Sequence, residues 1–141
     1  MMRDLTAFLR PNVETVENIC FPASKRMKKE DGTIVDWELR CVSATEDEEI
    51  RRSATKRVNG RGQTTANETD AVLYLARLAV RCTVYPDLNN KELQDSYGVM
   101  GAECLLRAML TPGEYTEYLR QVQKVCGFDL PFEQLVDEAK N

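Results

Sequence analysis

The run from Val84 to Phe128 constrains the fold more than any other part of this sequence, because helix stops, helix starts and apolar faces follow one another without a gap. Pro86 stops what precedes it, since proline lacks the amide that a helix interior requires. Asn89 or Asn90 can cap a short helix from Lys91 to Tyr97. Gly98-Val99-Met100-Gly101-Ala102 then turns the chain, and Met100, Leu105, Ala108 and Met109 are expected on the inner face of the next helix. Thr111-Pro112-Gly113-Glu114 is a restart, with Thr111 as cap, Pro112 at the first helical position and Glu114 completing a capping box. Tyr115, Tyr118, Leu119, Val122 and Val125 recur at helical spacing, and Gly127 is placed to close that helix. Short helices joined by tight turns must pack side by side.

Upstream the pattern differs. Asp4 to Arg10 reads as a short helix capped by Asp4 and stopped by Pro11. From Val16 to Val42 the sequence reads as a β-hairpin turning at Asp31-Gly32. In its return segment Val35, Trp37, Leu39 and Cys41 alternate with Asp36, Glu38 and Arg40, so one face covers a core and Trp37 anchors it to the helices. Thr45-Glu46-Asp47-Glu48 reads as a capping box opening a peripheral helix with the thin apolar face Ile50, Ala54 and Val58. Asn59 to Glu68 is a polar, glycine-bearing loop. Thr69 to Val84 is apolar on nearly every side, as expected of a central buried helix, and Phe132, Leu135, Val136 and Ala139 stripe a terminal amphipathic one. The expected fold is α+β, mainly α: one domain over residues 1–141, with a single N-terminal antiparallel β-hairpin at about 16–42 and a helical bundle at about 45–140.

Composition removes several classes of function. The chain has no histidine, which takes away the commonest general base and metal ligand. Its five cysteines are widely spaced with no Cys-x-x-Cys pair, a pattern of reduced apolar residues rather than of a disulfide framework or zinc ribbon. Cys20 and Cys41 fall on the segments expected to pair as strands, so an aerated sample could oxidise there. No apolar run approaches the roughly 18 residues of a membrane span, and the first ten residues do not read as a secretory signal, so a cytosolic location is expected. Net charge is +1 over residues 1–62 and −5 over 63–141. The half with the clearest fold signal is therefore the acidic one, which disfavours phosphate binding there.

The acids Glu46 to Glu49 open a helix and are followed by Arg51, Arg52, Lys56 and Arg57, an order that suits the helix dipole without any catalytic role. Nucleotide or nucleophile motifs are missing: Asn59-Gly60-Arg61-Gly62 has no Lys-Ser/Thr after it. Residues 91–110 have helix-turn-helix spacing, and a small DNA-binding regulator is the alternative function. Its would-be recognition helix, however, begins Met100-Gly101-Ala102-Glu103, where Arg, Asn or Gln should meet base edges. Tyr85, Tyr97, Tyr115 and Tyr118 suit either an interface or a core margin. The terminal stripe can dock on its own bundle or on another chain. No catalytic, cofactor-binding or metal-binding residues are expected.

Leu93-Gln94-Asp95-Ser96-Tyr97-Gly98-Val99-Met100-Gly101-Ala102-Glu103 and Met109-Leu110-Thr111-Pro112-Gly113-Glu114-Tyr115 resemble the XkdN-like tail assembly chaperones of long-tailed phages and defective prophages. The likeness extends to Asp36-Trp37-Glu38-Leu39, the acidic start near Thr45-Glu46, Leu75 to Pro86 and Gly127-Phe128-Asp129, while residues 51–69 match in character only. It implies a non-enzymatic factor, without cofactors, that binds the phage tape measure protein, keeps it soluble and helps recruit major tail tube subunits. It further implies action in the cytoplasm of the bacterial host, absence from the finished virion, and neither nucleic-acid nor membrane partners. Coating a long helix also suits self-association into a homo-oligomer. Within the most specific segment, Tyr97, Met100, Tyr115 and Tyr118 are the expected partner contacts.

Overall fold

Of the alternating residues 35–41, Trp37–Leu39 forms a strand, with Trp37 only 2% exposed and Leu39 fully buried, while Val35 and Cys41 flank it half-buried. The computed structural model describes residues 3–58 and 66–128. In it, β1 (Ile19–Phe21) pairs antiparallel with β2 (Trp37–Leu39), with Phe21 opposite Trp37 and Ile19 opposite Leu39. The Asp31-Gly32 turn closes a smaller inner bridge, Lys28 to Ile34, at the tip of the long connection. There the Asp31 carboxylate accepts the Thr33 amide at 2.9 Å.

The other edge of β2 is also paired. Thr83–Tyr85 is a strand, β5, antiparallel to β2, so the sheet has the order β1-β2-β5. This corrects the expected helix from Thr69 to Val84. Helix α2 runs Ala71–Cys82, capped by Asp70 accepting from the Leu73 amide. Its last apolar residues leave it because β-branched Thr83 and Val84 and aromatic Tyr85 suit an extended chain, and β2 offers unpaired amides beside them. A single hairpin is therefore too few strands.

A second correction concerns the helix read from Thr45 to Val58. Helix α1 spans Ala44–Ser53, and β3 (Thr55–Val58) pairs antiparallel with β4 (Ala66–Thr69). Residues 66–68 are thus strand and not loop, while 59–65 lie outside the described residues. Thr55 and Thr69 face each other across the pair with their hydroxyls 2.9 Å apart, and the Asp70 amide donates to the Ala54 carbonyl at 2.9 Å. The cap of α1 is Ser43 with Glu46, two residues earlier than expected. Glu46 is held there by Arg40 at 2.8 Å and Arg81 at 3.5 Å, ties that a box on Thr45 would forgo.

Later elements follow the punctuation. Helix α3 (Lys91–Ser96) is capped by Asn90, α4 spans Ala102–Met109, and α5 (Pro112–Val125) opens with the Thr111–Glu114 box. Leu105, Leu106 and Met109 of α4 are buried. Met100 and Ala108 are not, contrary to expectation: Gly101 at φ +94° breaks the helical phase after Met100, and Ala108 lies to one side of the face that Leu105, Leu106 and Met109 bury. At the other end, Gly127 takes φ +78° just past α5. Near the N-terminus two short 3₁₀ turns, Thr6–Phe8 and Arg10–Asn12, replace the single helix expected from Asp4. Pro11 sits inside the second turn instead of ending the first. The terminal stripe at 132–139 lies outside the described residues.

The fold is α+β, with one apolar core formed where β2, α1, α2, α4 and α5 meet. Its centre is aromatic: the Tyr118 ring lies 5.3 Å from Trp37, edge to face, and 5.7 Å from Phe21. The connection from β1 to β2 is tied to α5 by Glu114, which accepts from Ser24 at 2.7 Å and Arg26 at 2.8 Å while serving its own capping box. Arg26 foremost, with the Thr111 amide and the Ser24 hydroxyl, holds the Glu114 carboxyl down at about 2.

Candidate partner interface

Tyr97 and Met100 flank the turn between α3 and α4, three residues apart, and both reach solvent. Met100 is 89% exposed and Tyr97 42%. The turn beneath them is built and not loose. Gln94 donates its side-chain amide to the Leu88 carbonyl at 2.9 Å and accepts the Gly101 amide at 3.1 Å. Further backbone bonds link Val99 and Tyr97 to Gln94 and Gly98 to Asp95. A long flexible thioether is thereby presented to solvent on a stiff mount, next to an amphipathic ring.

Tyr115 and Tyr118 lie differently, although they share the α5 periodicity. Tyr115 is half-buried against the core margin, and desolvation raises its hydroxyl pKa. Tyr118 has no exposed surface, and its hydroxyl meets the Thr83 hydroxyl at 2.5 Å. Of the four residues singled out from the sequence, two are thus presented together, one lies on the margin, and one is the core's central ring.

Two further apolar surfaces escaped the sequence reading. A groove of about 220 Å³ runs between α2 and the end of α5, lined by Tyr74, Leu75, Leu78, Gln123 and Phe128 with Arg51 at its rim. Arg51 lies 4.5 Å over the Tyr74 ring and bonds Asp47 at 2.9 Å, while the Tyr74 hydroxyl donates to the same carboxylate. That network fixes one wall. On the other, Gln123 Oε1 is buried with no hydrogen-bond partner among the described residues, an unmatched acceptor in an apolar setting. The second surface is the N-terminal arm, where Leu5, Phe8, Leu9, Val13 and Val16 are all exposed.

The helix-turn-helix alternative finds little to work with. The solvent face of α4 carries Cys104, Arg107 and Ala108, and Glu103 near its start is paired with Arg77 at 3.1 Å. One cation on that face is a poor match for phosphates or base edges. Among the described residues no group of three or more metal-ligating side chains is placed to hold a metal ion, and no helix is long and apolar enough to cross a membrane.

Comparison with known proteins decides the family. Residues 5–140 match the model of the phage XkdN-like tail assembly chaperone proteins. This chain belongs to that family. It is 30% identical to the phage-like element PBSX protein XkdN of Bacillus subtilis (strain 168), over 98% of this chain and 94% of that protein. It is also 30% identical to the uncharacterized protein YqbN of the same strain, over 98% of this chain and 93% of YqbN. The crystal structure of YqbN superposes with a TM-score of 0.79 at 26% identity, covering 92% of this chain and all of the other. The family's general role is tail assembly chaperoning, with protein partners in the phage tail, and a DNA-binding regulator is not favoured.

Proposed function

We propose that this chain is a non-enzymatic chaperone that binds the tape measure protein of its phage, keeps it soluble and helps recruit major tail tube subunits around it. It acts in the host cytoplasm, needs no cofactor, and leaves before the virion is complete. The match to the tail assembly chaperone family from residue 5 to residue 140 carries this reading. A tape measure is a long amphipathic helix, so a chaperone for it needs apolar surface with a polar rim, in several copies. Met100 with Tyr97 provides one such patch, and the groove beside Tyr74 and Phe128 another, bordered by Arg51 and an unmatched Gln123 acceptor. The contact role falls on Tyr97 and Met100, with Tyr115 at the margin and Tyr118 supporting from within.

The test is co-expression with the tape measure protein, followed by affinity capture and size exclusion with light scattering. A soluble complex, where the tape measure alone is insoluble, supports the reading and gives the stoichiometry, including any self-association. Failure to rescue solubility, with this chain well folded, refutes it. Met100→Ser together with Tyr97→Ser should weaken capture by about tenfold or more while leaving folding intact, since apolar anchors dominate such contacts. Unchanged capture would remove both residues from the interface.

A further inference from the structure

Cys20 and Cys41, on the segments read as pairing strands, are not set opposite each other. Cys20 lies opposite Glu38 and is exposed. Instead three elements converge at the other cysteines. Cys82 ends α2, Cys126 caps the end of α5, and Cys41 follows β2. The Sγ atoms of Cys82 and Cys126 are 3.6 Å apart. Backbone hydrogen bonds hold both residues in place: the Cys82 carbonyl accepts the Arg40 amide at 2.8 Å, and the Cys126 amide donates to Val122 at 3.2 Å. Cys41 turns its own thiol to the Val42 carbonyl at 3.2 Å.

We propose that Cys82 and Cys126 form a reversible disulfide on exposure to a peroxide, a modification site that fastens the end of α2 to the end of α5. The 3.6 Å sulfur separation selects this pair over Cys41, whose thiol also reaches Cys126 but is turned to the Val42 carbonyl. The roles follow from the surroundings. Cys126 is half-buried, and its contact with the Cys82 sulfur foremost, with the Val42 backbone and the Cys41 thiol, holds its own thiol below the ordinary range. Cys82 is wholly enclosed, and its contact with Cys126 and its burial push its own thiol up. Cys126 is therefore the nucleophile and Cys82 the resolving thiol.

The Cys126 thiolate attacks one peroxide oxygen, the O–O bond breaks, and a sulfenic acid forms as hydroxide leaves. Cys82 sulfur then attacks Cys126 sulfur, the S–O bond breaks, and the Cys82 proton leaves with the hydroxyl as water. One peroxide is reduced to water by two electrons, and the protein dithiol is oxidised by two. A dithiol reductant reverses the bond by exchange.

The test uses the full chain, treated with dilute hydrogen peroxide, trapped with N-ethylmaleimide and digested with trypsin without reduction. Cleavage after Lys and Arg puts each cysteine in its own peptide, Cys82 in 82–91, Cys126 in 125–140 and Cys41 in 41–51. The expected product is the 82–91 peptide linked to 125–140, in a monomer lighter by two hydrogens, with a raised thermal midpoint and full reversal by dithiothreitol. A dominant link to 41–51, links only between chains through exposed Cys20 or Cys104, or Cys126 over-oxidised with Cys82 still free would each overturn the proposal. Cys126→Ser, which replaces a half-buried thiol with a hydroxyl, should abolish any link to Cys82. If the folded variant still forms one inside the chain, the pairing is wrong.

Discussion

Replacing Tyr118 separates its ring from its hydroxyl, and the structure sets the size of each effect. Thr83 Oγ1 lies 2.7 Å from the Ala79 carbonyl, which can only accept, so the threonine proton points there. Tyr118 must then donate to Thr83, and Tyr118→Phe removes that bond while leaving the threonine's donor satisfied. The cost is that of one ordinary internal hydrogen bond, about 1 kcal/mol. Tyr118→Ala removes a fully buried ring in contact with Trp37 and Phe21 and leaves a cavity, costing about 3–5 kcal/mol. A domain of this size has roughly 7–20 kcal/mol in all, so the alanine variant is expected to fold but weakly. Trp37 is the chain's only tryptophan and touches the substituted ring, which makes its fluorescence the natural probe of urea unfolding. Midpoints should fall by about 0.5 M for phenylalanine and about 2 M for alanine. The phenylalanine variant should also capture the tail partner normally. Equal losses for the two variants, or a folded phenylalanine variant that no longer binds, would refute the assignment of Tyr118 to the core.

Acid should destabilise the protein through Glu46 and Glu114. Arg40 bonded to Glu46 and Arg26 bonded to Glu114 lead in bringing both carboxyls to about 2, below the ordinary 4.5, so the unfolded chain binds protons first. Their contribution is present above pH 4.5 and is lost as pH falls towards 2; thermal midpoints of Glu46→Gln with Glu114→Gln should vary less across that window than wild type, and an equal slope would dismiss both groups. Gly101→Ala should cost about 1–2 kcal/mol by chemical denaturation, because an L side chain at φ +94° is strained even with open space around it. A neutral result would mean the α3–α4 turn relaxes freely. Met100→Ser should leave the stability measured by urea unfolding within about 0.5 kcal/mol of wild type, as expected for a side chain almost wholly in water.

Legibility in the sequence tracked how local each decision was. The α5 start could be read because Thr111, Pro112 and Glu114 satisfy it among themselves. The α1 start could not, because Ser43-Ala44-Thr45-Glu46 and Thr45-Glu46-Asp47-Glu48 are equally good boxes two residues apart. What chooses between them is Arg40, and Arg81 from another element. The missed strands have the same origin. Thr83-Val84-Tyr85 continues the apolar run of α2, and only the unpaired edge of β2 draws it out of the helix. Thr55 likewise looks like the tail of α1 until Thr69 is set opposite it.

The candidate contacts were hard to read for a related reason. Periodicity identifies a buried residue by its agreement with its neighbours: Tyr118 stands in phase with Leu119, Val122 and Val125, and all of them are buried. By the same logic an apolar residue beyond a phase break has no inner face to join. Met100 precedes the Gly101 break and Tyr97 follows the end of α3, and both are exposed. Clustering in a specific segment grouped all four residues, but phase divides them. Of the four residues, Tyr97 and Met100 are therefore within a partner's reach, and Tyr118 is not.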